Sequence, residues 1–137
     1  MTLPKIDFTS WYPWKQRNKI KKSEAPGVYM LAKFITVPSG SANPLENNII
    51  YFGETCRSLK GRWDQFDRSA FQSKRGHSGG INYRRIYRDE GQHLYLASMS
   101  LTITDKTLRS CFIRFVERKL ILDFVIKHGL RPKCNLK

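Results

Sequence analysis

The fold is decided by residues 27–34, which read GVYMLAKF. Apolar side chains alternate along this stretch, with Val28 and Met30 on one parity and Tyr29 on the other. Such alternation predicts a β-strand that buries one face against a core. The apolar run inside it is far shorter than the roughly 20 residues that span a bilayer, and no signal-peptide layout precedes it. We therefore expect a protein with no membrane segment.

A second strand is predicted at residues 49–53, IIYFG, after a connection at 36–48 that contains Pro, Gly and Ser. We expect the two strands to pair as antiparallel neighbours. Tyr51 stands on the parity opposite Phe52, as Tyr29 does within its own strand, so both hydroxyls can emerge from the sheet face away from the main core. Two interpretations stay open: a wall of a functional site, or two surface tyrosines.

Two helices and a third strand complete the predicted fold. From Ser58 onward, apolar residues recur at steps of three and four, as on one face of a helix. Residues 95–103 alternate again and predict a third strand, and residues 107–127 carry a long helical pattern that ends before Gly129. The sequence therefore predicts an α/β fold, a small central antiparallel sheet of about three strands flanked by helices.

Length and charge narrow the class of protein. At 137 residues the chain has the size of one domain. Its 25 Lys and Arg residues exceed its 11 Asp and Glu residues, which leaves a net charge of +14. A charge of that size favours a polyanionic partner, and nucleic acid is the first expectation.

Residues 1–26 differ in composition from the rest, and we interpret them as a basic, aromatic N-terminal arm ahead of a domain at 27–137. The arm carries an aromatic cluster followed by lysines, among them Phe8, Trp11, Tyr12, Trp14, Lys19, Lys21 and Lys22. Either the rings stack on nucleic acid, or they cover an edge of the core while the lysines are solvated.

A second basic stretch, residues 74–88, surrounds the sequence GHSGG and predicts a phosphate-lined loop. It lacks the lysine spacing and the strand–loop–helix context of a P-loop. Together with the arm lysines, the candidate nucleic-acid-binding residues here are Lys74, Arg75, Arg84 and Arg85.

The cysteines indicate the compartment. Cys56, Cys111 and Cys134 are an odd number without a CxxC pair, which fits neither a disulfide framework nor a structural zinc site. A reducing cytoplasm is the simplest expectation.

One charged residue interrupts the long apolar face at 107–127. Glu117 stands four residues after Ile113 and three before Leu120, so its carboxylate lies on or beside the buried stripe. An unpaired buried carboxylate costs several kcal/mol. We therefore expect a cation beside it, either Arg114 or Arg62 or a metal ion. Arg62 itself lies beside the apolar stripe of the first helix and is otherwise an ordinary surface arginine.

Five segments in order resemble the GIY-YIG nuclease family, over roughly residues 27–135. They are GVYMLAKF at 27–34, NNIIYFGE at 47–54, RSLKGRW at 57–63, FVERKLI at 115–121 and RPKCN at 131–135. The resemblance matches the two motif tyrosines, the helix arginine, the metal-binding glutamate and the closing asparagine of the family to Tyr29, Tyr51, Arg62, Glu117 and Asn135.

The chain departs from the family pattern at Phe66, which stands where many relatives carry a histidine or tyrosine that assists proton transfer. His77, in the GHSGG segment, is the candidate to supply that role. The alternative for His77 is a solvated loop histidine.

The resemblance implies a metal-dependent DNA endonuclease that hydrolyses phosphodiester bonds, most simply in double-stranded DNA, as a monomer or homodimer. It implies Glu117 as ligand of one Mg²⁺ or Mn²⁺ and Arg62 as the residue that stabilises the phosphate. Tyr29 is then the base, with His77 as a relay. Tyr51 is implied to orient the phosphate or Tyr29, and Asn135 to orient backbone or substrate.

Two other classes of protein stay open. A non-catalytic, basic nucleic-acid-binding protein or a small ribosome-type protein would also explain the charge of +14. Neither requires Tyr29, Tyr51, Arg62 and Glu117 to occur together.

Overall fold

The computed structural model describes residues 2–136. Its elements in chain order are β1 (Tyr12–Pro13), a 3-10 helix (Trp14–Lys19), β2 (Gly27–Lys33), β3 (Ile49–Thr55), α1 (Leu59–Phe71), α2 (Ser78–Tyr87), β4 (Leu94–Ser100) and α3 (Lys106–His128). The α/β class predicted from the sequence is confirmed.

The sheet is antiparallel, with strand order β1-β4-β2-β3. β2 is one of the two inner strands, and its Tyr29 lies opposite Gly53 on one side and Ser98 on the other. The predicted antiparallel pairing of β2 with β3 is confirmed. The sheet has four strands instead of about three because Tyr12 and Pro13 pair with β4, and a strand of two residues is too short to show a period.

Helices cover both faces of this sheet, so two cores form. The α3-side core contains Val28, Met30 and Phe52 with the buried stripe of α3. The α1-side core contains Tyr29 and Leu31 with apolar residues of α1 and α2. Tyr29 and Tyr51 share the face away from the α3-side core, as their parity predicts. The alternative of two surface tyrosines is wrong, because α1 and α2 pack on that face and bury both rings.

A β-bulge breaks the parity of β3. Leu31 pairs with Tyr51, whereas the next residue, Ala32, pairs with Ile49, so Ile50 is the extra residue. Ile50 consequently lies in the α1-side core together with Tyr51, and not on the opposite face as simple alternation predicts.

The predicted loop at 74–88 is wrong for most of its length, because residues Ser78–Tyr87 form α2. The glycines serve close packing. A Cβ at Gly80 would lie 2.7 Å from the Cβ of Ser69 on α1, and a Cβ at Gly79 would lie 2.6 Å from a ring carbon of Tyr51. Only glycine therefore allows α2 to approach both α1 and β3.

The N-terminal residues pack against the rest of the chain. Phe8 and Trp11 are buried in the α3-side core, and Trp14 and Ile20 in the α1-side core. The indole N–H of Trp14 donates to the carboxylate of Asp67 at 2.8 Å. These aromatic rings are therefore committed to the core. Within residues 2–136, no helix has the length and apolar character needed to cross a bilayer.

Candidate active site

Several candidate residues meet at β3, which is one of the two edge strands of the sheet. Tyr51 from β3, Asn82 from α2 and Glu117 from α3 line a cleft of about 330 Å³. A second cleft of about 480 Å³ is lined by Glu54 of β3, Arg62 of α1 and Arg114 of α3, among others. The sheet edge thus brings together residues that lie more than 60 positions apart in the sequence.

Tyr29 and His77 form a buried hydrogen-bonded pair, with 2.8 Å between the Tyr29 Oη and the His77 Nε2. The other ring nitrogen, Nδ1, accepts the backbone N–H of Gly80 at 3.2 Å and thereby caps α2. In a neutral ring the proton must therefore sit on Nε2, which donates to Tyr29.

The charge state of His77 agrees with this assignment. Burial, and then the nearby charge of Arg62, lower the pKa of His77 to about 3. The ring is neutral at physiological pH, and its one N–H points at Tyr29. His77 is consequently placed to hold the Tyr29 oxygen, not to take a proton from it, and it is not a solvated loop histidine because its exposure is 0%.

The two tyrosines differ in access to solvent. Tyr29 has an exposure of 0%, whereas Tyr51 has 8% and borders the 330 Å³ cleft. Burial, and then the neighbouring Tyr51, raise the pKa of Tyr29 well above its ordinary value, while the charge of Arg62 opposes the shift. Burial raises the pKa of Tyr51 to about 12, again against the effect of Arg62. Both phenols are protonated at neutral pH.

Glu117 is a half-buried carboxylate with weak compensation. Burial, and then the charge of Glu54, raise the pKa of Glu117 to about 7, and the charges of Arg118 and Arg62 oppose the rise. Its ion pair is with Arg118, at 4.0 Å between Nε and Oε1, and the Arg118 side chain is 68% exposed. Such a long, exposed pair offsets little of the burial cost, so the carboxylate remains suited to a stronger cation.

Arg62 of α1 lines the 480 Å³ cleft. Its Nη1 donates to the side-chain oxygen of Gln65 at 2.6 Å and to the carbonyl of Gly76 at 3.2 Å. Within residues 2–136 it has no carboxylate within ion-pair distance. Its charge acts on each of the titratable candidates, namely Tyr29, Tyr51, His77 and Glu117.

Asn135 binds backbone. Its side-chain oxygen accepts the N–H of Phe52 at 2.8 Å, and its side-chain nitrogen donates to the carbonyl of Phe52 at 2.9 Å. The preceding Cys134 donates its backbone N–H to the carbonyl of Ile50 at 2.8 Å. The residues near the C-terminus therefore occupy hydrogen-bonding groups of the β3 edge next to Tyr51.

Sequence reasoning missed Glu54. Its negative charge raises the pKa of Glu117, Tyr51 and Tyr29, and it lines the same cleft as Arg62. The signal was its position directly after the YFG stretch, two residues beyond Phe52 and hence on the α3 side of the sheet.

Glu117 and Glu54 are the candidate carboxylate donors for a metal ion. Among the residues described, no group of three or more His, Cys, Asp or Glu side chains is arranged to hold a metal. A protein-built cage is therefore not present in that part of the chain. Mg²⁺ commonly binds through one or two carboxylates plus waters and substrate phosphates, and Glu117 with Glu54 nearby offers that type of donor.

The candidate nucleic-acid-binding residues are all exposed, but in two groups. Lys19, Lys21 and Lys22 lie around the end of the 3-10 helix, whereas Lys74 and Arg75 precede α2, and Arg84 and Arg85 lie on α2.

Comparisons with protein-family models, curated proteins and solved structures give no match to this chain.

Proposed function

We propose that this protein is a metal-dependent endonuclease that hydrolyses phosphodiester bonds in DNA, as the resemblance to GIY-YIG nucleases implies. The observation that carries the proposal is the cleft shared by Tyr51 and Glu117, with the charge of Arg62 acting on both residues. A phenol and a carboxylate at one cleft, with a guanidinium at a second cleft, are the groups that the proposed hydrolysis uses.

In the reaction, a water oxygen forms a bond to phosphorus while the bond from phosphorus to the 3′ oxygen breaks. Negative charge grows on the non-bridging oxygens, and the leaving 3′ oxygen takes a proton from solvent. The attacking water gives its proton to the Tyr51 oxygen in the phenolate form, which is the minor form at neutral pH and which the charge of Arg62 favours. Arg62 presents a fork of N–H donors that matches phosphate oxygens. Glu117 would hold Mg²⁺ or Mn²⁺, and such an ion when bound stabilises the charge on the leaving oxygen.

The tyrosines take different roles in this proposal. Tyr51 borders the cleft and meets the attacking water, while Tyr29 is enclosed and contacts His77. This reverses the roles that the resemblance implies, in which Tyr29 is the base. The buried Tyr29–His77 pair then holds the aromatic cluster around Tyr51, whose ring centroid lies 6.0 Å from that of Tyr29 and 5.6 Å from that of His77.

A non-catalytic nucleic-acid-binding protein is the second candidate, and the net charge of +14 favours it. Charge alone supports binding to DNA, but it gives no reason for a half-buried carboxylate beside Tyr51.

The test is incubation of supercoiled plasmid with purified protein in Mg²⁺, in Mn²⁺ and in EDTA. Glu117→Gln is compared with Glu90→Gln, which removes an equal charge from an exposed residue. We expect metal-dependent nicking or cutting that Glu117→Gln abolishes and Glu90→Gln retains. If wild-type protein shifts the DNA in gels without cutting it in any metal, the binding-protein candidate replaces the nuclease.

A further inference from the structure

A separate basic cleft lies between the end of α1 and the second half of α2. It measures about 620 Å³, and its lining includes Arg84, Arg85 and Arg88, with Phe71 and Ile81 as apolar floor. Its lining contains no carboxylate. In the part of the chain that the structure describes, none of the three arginines lies within ion-pair distance of an acidic side chain. Three uncompensated guanidinium groups therefore face one open cleft.

Arg88 is held there in a costly backbone conformation. It caps α2 with a φ of 52° in the left-handed region, where glycine or asparagine usually ends a helix. The helix could end with less strain on a glycine, so the ending is not explained by backbone preference. An arginine at this position adds a guanidinium group to the cleft, which a glycine would not.

The cleft stands at a defined distance along α2 from His77, whose ring centroid lies 5.6 Å from that of Tyr51. The N-cap of α2 is His77, which contacts Tyr29, and its C-cap is Arg88. Since an α-helix rises about 1.5 Å per residue, the three arginines lie roughly 10–16 Å along the helix axis from His77. One strand of B-DNA advances about 3.4 Å per nucleotide, so that distance corresponds to roughly three to five nucleotides.

We infer that the arginine cleft binds the sugar–phosphate backbone of double-stranded DNA roughly three to five nucleotides from the phosphate that is cut. Arginine forks match pairs of phosphate oxygens, and backbone contacts fix the register of a protein on DNA. The cleft thus positions the strand along α2. The stated register rests on the proposed nuclease function, whereas binding by the cleft does not.

Binding is tested by fluorescence anisotropy of a labelled duplex in EDTA at several salt concentrations. The triple variant Arg84→Ala, Arg85→Ala, Arg88→Gly is compared with Lys5→Ala, Lys106→Ala, Lys127→Ala, which removes the same charge from exposed positions elsewhere. Each phosphate that the protein no longer neutralises lowers the slope of log K against log salt by about 0.9. We expect the slope to fall by about 2–3 in the arginine variant and by less than about 1 in the lysine variant.

Equal slopes for the two triple variants would overturn the inference. Arg88→Gly alone is the folding control, and we expect its thermal midpoint to stay at or above that of the wild type while its DNA affinity falls. Tighter binding of an RNA duplex of the same sequence than of the DNA would also overturn the assignment of DNA.

The register is tested with duplexes that carry one uncharged methylphosphonate linkage at successive positions from the mapped cut. Wild-type affinity should fall for linkages about three to five nucleotides away, and the arginine variant should not respond there. A response at other positions contradicts the register. Arginine-dependent binding without any cutting would refute the nuclease proposal and the register but leave the DNA-binding cleft. Cutting that is unchanged in the arginine variant would refute the cleft alone.

Discussion

At the scale of single residues, Glu117 is a residue whose ionised side chain lowers the stability of the fold. Its pKa is raised from 4.5 to about 7 by burial and then by Glu54. Because the folded state binds the proton more tightly than the unfolded state, the protonated form adds stability below about pH 4.5 that is lost as pH rises through about 7. A difference of this size is worth up to about 3 kcal/mol before solvent screening.

Glu117→Gln should therefore raise the free energy of unfolding at pH 8, by about 1–3 kcal/mol, and change it little at pH 4. The glutamine keeps the size of the side chain and cannot ionise. Urea titrations of both proteins at the two pH values, in EDTA, measure the difference. A variant that is less stable than the wild type at pH 8 would show that the carboxylate is a structural ion pair.

The different burial of the two tyrosines gives a second prediction. If Tyr51 meets the attacking water, Tyr51→Phe should lower the cleavage rate by about 100-fold or more, in the range of acid–base contributions. Tyr29→Phe removes only the acceptor of the buried His77 N–H, so it should lower stability by about 1–3 kcal/mol with a smaller effect on the rate. Single-turnover cleavage and thermal melting separate the two effects. A larger drop in rate for Tyr29→Phe would return the role of base to Tyr29.

Arg62 is the donor that the proposal places on the phosphate. Arg62→Ala should lower the rate of cleavage by two or more orders of magnitude. Arg68→Ala, an exposed arginine on the same helix, serves as the control and should cut at close to the wild-type rate. Similar rates for both variants under saturating DNA would remove Arg62 from the reaction.

At the scale of elements, the approach of α2 to α1 depends on one glycine. A Cβ at Gly80 would lie 2.7 Å from the Cβ of Ser69 and 2.8 Å from the carbonyl of Phe66, so Gly80→Ala should destabilise the protein by about 1–3 kcal/mol. At Gly61, in the first turn of α1, the nearest atom to an added Cβ is 3.7 Å away. Gly61→Ala should stabilise by about 0.5–1 kcal/mol. Shifts of the thermal midpoint with opposite sign are expected, and a neutral Gly80→Ala would show that the two helices relax freely.

The sequence predicts the elements that bury a long regular face. β2, β4 and α3 each carry an apolar pattern of period two or period 3.6 over seven or more residues. The structure has β2 and α3 within one residue of the predicted bounds, whereas β4 ends at Ser100, three residues before the predicted end. The helix α2 was missed because its first residues are SGG, which local preferences assign to a loop. Its glycines meet Ser69 and Tyr51, and a single sequence does not show such long-range contacts.

The same limit applies to the candidate site. Glu117 was predictable as an ionisable group on an apolar face, and the order of motif residues pointed to Tyr51 and Arg62. The hydrogen bond between Tyr29 and His77 joins residues 48 positions apart, and the influence of Glu54 on Glu117 depends on how α3 packs against β3. These distances are set by tertiary packing, which overrides what each segment shows alone.

At the scale of the whole molecule, the N-terminal segment of this small basic chain contributes residues to both cores. Trp14 is 3% exposed in the α1-side core. Its ring stacks edge-on with Phe66, at 5.1 Å between centroids, and lies 4.5 Å from the guanidinium carbon of Arg17. The lysines that follow are exposed. The aromatic residues of this segment therefore stabilise the fold, and its exposed lysines provide positive charge for a polyanionic partner.

These two roles predict different effects for two variants of this segment, one on stability and one on DNA binding. Trp14→Ala should lower the free energy of unfolding by about 3–5 kcal/mol, because it leaves a cavity and removes the indole N–H that donates to the Asp67 carboxylate. Lys19→Ala with Lys21→Ala and Lys22→Ala should leave stability within about 0.5 kcal/mol, while the salt dependence of DNA binding falls by about 0.9 for each phosphate that the protein no longer neutralises. Urea titration and anisotropy measure the two effects. Unchanged DNA binding in the lysine variant would leave nucleic-acid binding to the candidate active site and the α2 arginines. A stable Trp14→Ala protein would mean that the segment is not part of the core.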